Sequence, residues 1–105
     1  MLTIPSNRRP TAPGELLQRE FLEPLEMTQT AFARHLGITT HRLNEIIRGR
    51  RSVTPDTALR LERVLRVSAA FWLNAQLAVD LYDAQHSKEA KKIAKLEPVR
   101  GLGAA

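Results

Sequence analysis

A glycine set between two short amphipathic runs limits this chain's fold more than any other feature. In "AFARHLGITTHRLNEI", Ala31 to Ile46, apolar residues recur at helical spacing on both sides of Gly37. Each side has room for roughly two or three helical turns. One unbroken helix would bury the same side chains in a straight cylinder. A break at Gly37, where a left-handed backbone costs little, lets the second piece turn sharply across the first. Phe32, Ala33 and Leu36 then pack against Leu43 and Ile46. The outer side of the second piece stands away from the globule at a fixed angle.

The spacing makes the geometry more specific. With Gln29 as position one, the small Ala33 falls fifth, Gly37 ninth, Leu43 fifteenth and Ile46 eighteenth. Ala33 permits close approach of the two helices, and Leu43 and Ile46 anchor the second one. That is helix-turn-helix geometry, in which the second helix enters the major groove of DNA and the first lies across the backbone.

The rest of the chain reads as helical too. Residues 1–11 hold two prolines and no clear period, and are expected to form a flexible arm. Pro13 suits a first helical turn, Leu17 and Phe21 lie four apart, and Pro24 should end this helix near Leu22. Thr28 caps the second helix, and Thr39 or Thr40 the third. Gly49 ends the third, before the basic loop "RGRRS". Thr54, Pro55 and Asp56 together are a strong start signal for a fourth helix. Ser68 caps a fifth, running to about Tyr82. Its apolar residues form two stripes, Phe71–Ala75–Val79 and Leu73–Leu77–Leu81, with Trp72 beside the first. That is more apolar surface than one monomer face needs. The tail, residues 84–105, carries Lys88, Lys91, Lys92 and Lys95, and has room for a short helix up to Leu96 before fraying. No segment alternates with period two over strand length. The expected fold is all-α: a five-helix domain over 12–83, its helix-turn-helix at 28–48, with a basic C-terminal extension.

Composition narrows the partners. The chain has 105 residues, 43% of them hydrophobic, enough for one compact domain. No cysteine is present, which excludes disulfides and thiolate zinc sites. The N-terminus lacks a signal-peptide core, and no stretch approaches the ~18 apolar residues of a membrane span. A cytoplasmic protein with no membrane partner is expected. The formal net charge is +5, and its placement matters more than its size. Between residues 34 and 51 stand five arginines (Arg34, Arg42, Arg48, Arg50, Arg51) against one acid, Glu45.

"TQTAFARHLGITTHRLNEIIRGRR" resembles the helix-turn-helix of the phage-repressor-like (Xre) family. The longer frame from Pro13 to Leu81 is similar to the HigA-type antitoxins. It carries their "PGE…L…EFL.PL" first helix, "TPDTALRLER" fourth helix and "FWLN.Q…DL" fifth. The resemblance covers roughly two-thirds of the chain. It implies a phage-repressor-like fold and a dimeric repressor that binds a palindromic double-stranded DNA operator in its own promoter. It also implies neutralisation of a HigB-type toxin, a ribosome-dependent mRNA endonuclease. Arm and tail match nothing in the family and receive no function from it.

Family geometry places base-edge readout on the outward N-terminal part of the second helix. In this sequence those residues are Thr39, Thr40, His41, Asn44 and Glu45. Thr40 can meet a thymine methyl, and Asn44 can pair bidentately with adenine. Glu45 either accepts from a cytosine amine or orients Arg42 or Arg48. Thr28, Gln29, Arg42, Arg48, Arg50 and Arg51 are the expected phosphate contacts, which set register and give salt-dependent affinity. Arg8 and Arg9 are left with the arm.

Nothing points to catalysis, a metal or a cofactor. His35, His41 and His86 are scattered, no glycine-rich phosphate loop occurs, and Glu20 with Glu23 reads as surface charge. Two other readings stay open. One is a stand-alone Xre-type regulator. The other is a protein-interaction module that keeps the helix-turn-helix shape without specific DNA binding.

Overall fold

Thr28, Thr39, Thr54 and Ser68 each stand at a helix start, and each hydroxyl accepts from a backbone N–H three residues on. The distances are 3.1 Å from Ala31, 3.0 Å from Arg42, 3.4 Å from Thr57 and 3.1 Å from Phe71. These caps divide a computed structural model that describes residues 8–103. In chain order it contains α1 (Pro13–Leu17), α2 (Gln29–Leu36), α3 (Thr40–Ile47), α4 (Pro55–Leu65), α5 (Ala69–Gln85) and α6 (Glu89–Ala94). Every regular element among the described residues is helical. The sixth helix lies in the basic tail, and the other five form the domain.

The first helix departs from its simple four-residue period. Beyond Leu17 it continues as a π-helical turn, Gln18–Leu22, in which the Glu23 N–H reaches back to the carbonyl of Gln18. A π turn takes one more residue per loop of hydrogen bonding, so side chains five apart share a face. Leu17 and Leu22 are therefore both fully buried, while Phe21, the expected partner of Leu17, is only half-buried. Pro24 follows in the turn that ends the helix.

One core joins α1 to α5. Phe32, Ala33 and Leu36 of α2 meet Leu43 and Ile46 of α3, and all five are buried. Leu17, Leu22, Val53, Ala58, Leu61 and Trp72 complete it. Trp72 has no exposed surface and lies at its centre, with Phe21 5.6 Å away and Phe71 edge-on at 5.2 Å. The two expected stripes of α5 are resolved differently. Its inward side is Trp72, Ala78 and Val79, whereas Phe71, Leu77 and Leu81 are exposed. Of the first stripe only Val79 is fully buried, and Trp72 beside it has no exposed surface.

The arm is tethered where it meets the domain. Residues 1–7 lie outside the described part, but Arg9 makes a two-point pair with Asp83 of α5, at 2.8 and 3.0 Å. An arginine fork matches a carboxylate in both charge and shape, so Arg9 has a partner on the domain.

Candidate nucleic-acid interface

Gly37 ends α2 in the left-handed region (φ 69°, ψ 32°) and Thr39 caps α3, so only residues 37–39 separate the two helices. The break at 37 is real, and α3 crosses α2 with Leu43 and Ile46 turned inward. What remains outside is a polar edge. Thr39, Thr40 and His41 at the start of α3 are exposed, as is Thr28 at the start of α2. Arg48, Arg50 and Arg51 are exposed where α3 runs into its loop. Neither Arg48 nor Arg50 has a side-chain partner among the described residues.

The other expected contacts are engaged inside the protein. The Asn44 amide donates to Gln29 Oε1 at 3.0 Å, joining the middle of α3 to the first residue of α2. Both side chains are half-buried. Glu45 Oε1 accepts from Arg51 Nε at 3.0 Å and Nη2 at 2.7 Å. Arg51, not Arg42 or Arg48, is therefore the arginine that Glu45 orients. The reason is local: Gly49 is left-handed (φ 75°), and the Arg50 N–H bonds the Glu45 carbonyl at 2.8 Å, which folds the loop back along α3. The hydrogen bond from Arg51, opposed in part by burial and helped by the charges of Arg51, His41 and Arg50, holds the Glu45 carboxyl below its ordinary range.

Arg42 also turns away from the outer edge. Its Nη2 donates to Thr57 Oγ1 at 2.8 Å and to Asp56 Oδ1 at 3.3 Å, both in the first turn of α4. Its Nε is fully covered. The structure therefore divides the expected phosphate set: Arg48 and Arg50 are free, Arg51 is shared with Glu45, and Arg42 is committed to α4.

Two residues that support the interface were not apparent from the sequence. A Cβ at Gly14 would collide with the backbone of Ile46 and Ile47, so α1 presses directly on the last turn of α3. The only trace of this in the sequence is a glycine inside a helical pattern. Arg60 reaches back to donate to the carbonyls of Leu36 and Gly37, at 2.9 and 3.3 Å, covering the exposed end of α2. The one signal in the sequence that could have pointed to it is its i,i+4 spacing from Asp56, with which it pairs at 2.8 Å. Among the described residues, no group of three His, Asp or Glu side chains gathers as a metal site.

Known proteins are similar to this chain in sequence and in fold. A helix-turn-helix family matches residues 18–72. Virulence-associated protein I of Dichelobacter nodosus is 43% identical over 81 residues, 77% of this chain and 75% of that protein. Antitoxin HigA-1 of Vibrio cholerae is 38% identical over 93 residues, 87% of this chain and 88% of that protein. The solved structure of Pseudomonas aeruginosa antitoxin HigA with the higBA promoter superposes with a TM-score of 0.80 at 37% identity, covering 87% of this chain and 99% of that one.

Proposed function

Since the chain belongs to the Xre-type helix-turn-helix family, on its HigA-type antitoxin branch, we propose that it is the antitoxin of a type II toxin–antitoxin pair. It binds a palindromic operator in its own promoter as a non-enzymatic repressor, and it neutralises a HigB-type mRNA endonuclease. The observation that carries the DNA-binding half is the exposed polar edge of α3. Thr39, Thr40 and His41 are presented beside Arg48 and Arg50, while the opposite side of the helix is locked into the core. Similarity to an antitoxin solved with promoter DNA supports the same half, and similarity to HigA-1 supports the other.

The expected assembly is a cytoplasmic homodimer. No helix among the described residues is long and apolar enough to cross a membrane. Phe71, Leu77 and Leu81 leave α5 with apolar surface that the core does not use. Two-fold symmetry would set the reading helices about one DNA turn apart, ~34 Å, over an inverted repeat.

A band shift with the chain's own upstream DNA tests the repressor half. Affinity for the operator should exceed that for a scrambled duplex and fall steeply with salt, because several phosphates are neutralised. Arg48→Ala should weaken binding to all sequences alike, and Thr40→Ala should mainly relax sequence preference. Equal binding to scrambled DNA would remove specific repression, and a monomer in light scattering at micromolar concentration would remove the two-fold assembly. For the antitoxin half, co-expression should relieve growth arrest by a small basic toxin encoded next to this gene, and the two proteins should co-purify.

A further inference from the structure

We propose that Arg42, Asp56 and Arg60 form a lock that sets the pose of the reading helix, so that Arg42 acts through α3's position and does not meet the duplex. The inference rests on the reading that α3 enters a DNA groove. Its geometric part stands independently of DNA.

Asp56 sits between the two sides of the turn. Its Oδ1 accepts from Arg60 Nε at 2.8 Å and from Arg42 Nη2 at 3.3 Å. Arg60 continues to the Leu36 and Gly37 carbonyls at the end of α2. Arg42 stands in the first turn of α3 and also donates to Thr57, a polar residue only 2% exposed. The last turn of α2 and the first turn of α3 are thus joined through one carboxylate at the start of α4. The turn itself holds little else: the Gly37 and Ile38 N–H groups bond back to Arg34 and Ala33.

The apolar contacts beneath do not do the same job. Burial of Phe32, Ala33, Leu36, Leu43 and Ile46 holds α2 and α3 together, but the hydrophobic effect is non-directional. Hydrogen bonds weaken steeply off axis, so they resist a rotation of one helix over the other. Asp56 is well exposed, and such pairs contribute little to overall stability. The Asn44–Gln29 bond still ties the middle of α3 to the start of α2, so loss of the lock frees the first turn of α3 about that point and changes the angle at which Thr39, Thr40 and His41 are presented while the fold remains.

The charge on Asp56 separates positioning from electrostatics. A carboxylate near phosphates repels them. Asp56→Ala removes both the charge and the acceptor oxygen. If Asp56 acts only through charge, Asp56→Ala should tighten binding to every duplex; if it acts through the lock, Asp56→Ala should lose discrimination between operator and scrambled DNA. Arg42 separates in the same way. A phosphate ligand contributes about 0.9 to the slope of log affinity against log salt on B-DNA, and a positioning residue contributes none.

The test uses the full chain and its variants Asp56→Ala, Arg42→Gln and the double variant. Each is titrated with the chain's upstream operator and with a scrambled duplex over a range of salt, at a temperature where melting curves show all of them folded. The expected result is a loss of about tenfold or more in the operator-to-scrambled ratio for either single variant, an unchanged salt slope for Arg42→Gln on scrambled DNA, and no further loss in the double variant. A ratio kept in Asp56→Ala, a slope reduced by about one per protomer in Arg42→Gln, or additive losses would overturn the lock. Amide hydrogen exchange supplies a readout without DNA. Exchange over residues 37–43 should speed up several-fold in Asp56→Ala while the rest of the domain is unchanged, and identical protection would also overturn it. Wild-type protein that does not discriminate operator from scrambled DNA would instead sink the repressor reading, leaving the exchange result to judge the lock.

Discussion

Gly14 shows how one backbone position constrains an interface it never forms. It lies in the first turn of α1, and its missing side chain is what allows that turn to rest on the last residues of α3. Gly14→Ala should cost about 1–3 kcal/mol, since the carbonyl it would strike is backbone and cannot rotate aside. Thermal unfolding is the measurement, with a fall in Tm of several degrees expected and an unchanged Tm counting against the packing. Gly37 differs in kind: its left-handed backbone strains a side chain whatever the space around it. That demand was legible in the sequence, because a glycine closing an amphipathic run has few other uses. The demand at Gly14 was not, because it depends on which helix happens to lie across it. Glu45 is a middle case. Its proximity to arginines was plain, but the choice of Arg51 came from the backward fold of the loop at Gly49.

Helix starts were the most readable elements, since a cap is a local bargain between one hydroxyl and one N–H three residues away. Thr39→Ala should destabilise the domain by about 1 kcal/mol and fray the start of α3. Circular dichroism during urea unfolding checks the first effect, and hydrogen exchange at residues 40–42 the second. Helix faces were less readable. The π turn after Leu17 replaced Phe21 with Leu22 in the core, a shift of one residue that no four-residue period announces. In α5 apolar residues occur almost all round, so periodicity alone did not choose an inward side. Trp72 decided it, through volume and through its two aromatic neighbours. Trp72→Ala should therefore cost roughly 3–5 kcal/mol, whereas Leu77→Ala, on the exposed side, should leave monomer stability nearly unchanged. Urea midpoints of the two variants compare them directly.

Across the molecule, opposite charges tie together segments far apart in sequence. Asp83 is held below its ordinary carboxyl range by the hydrogen bond from Arg9, and Asp56 by those from Arg60 and then Arg42. Folded-state values below the unfolded ones mean that these carboxylates favour folding above the ordinary carboxyl range, around pH 4, and lose that contribution as pH falls through the lowered values. The urea midpoint should therefore drop between pH 7 and pH 3, and Asp83→Asn should show a smaller drop over the same interval. High salt should shrink the difference, since these pairs are exposed. An equal drop in wild type and variant would show that the Arg9 tether contributes nothing. From the sequence alone came the helical class, the caps, the break at Gly37, the buried residues of α2 and α3, and the family, because each rests on spacing or chemistry within a few neighbouring residues. Tertiary structure alone decided which polar side chains stay free. Arg42 and Arg48 look alike in the chain, yet one is spent on α4 and the other faces solvent. Hydrogen-bonding groups are claimed by whatever partner folding brings within about 3 Å, and for Arg42 that partner lies fifteen residues away at Thr57.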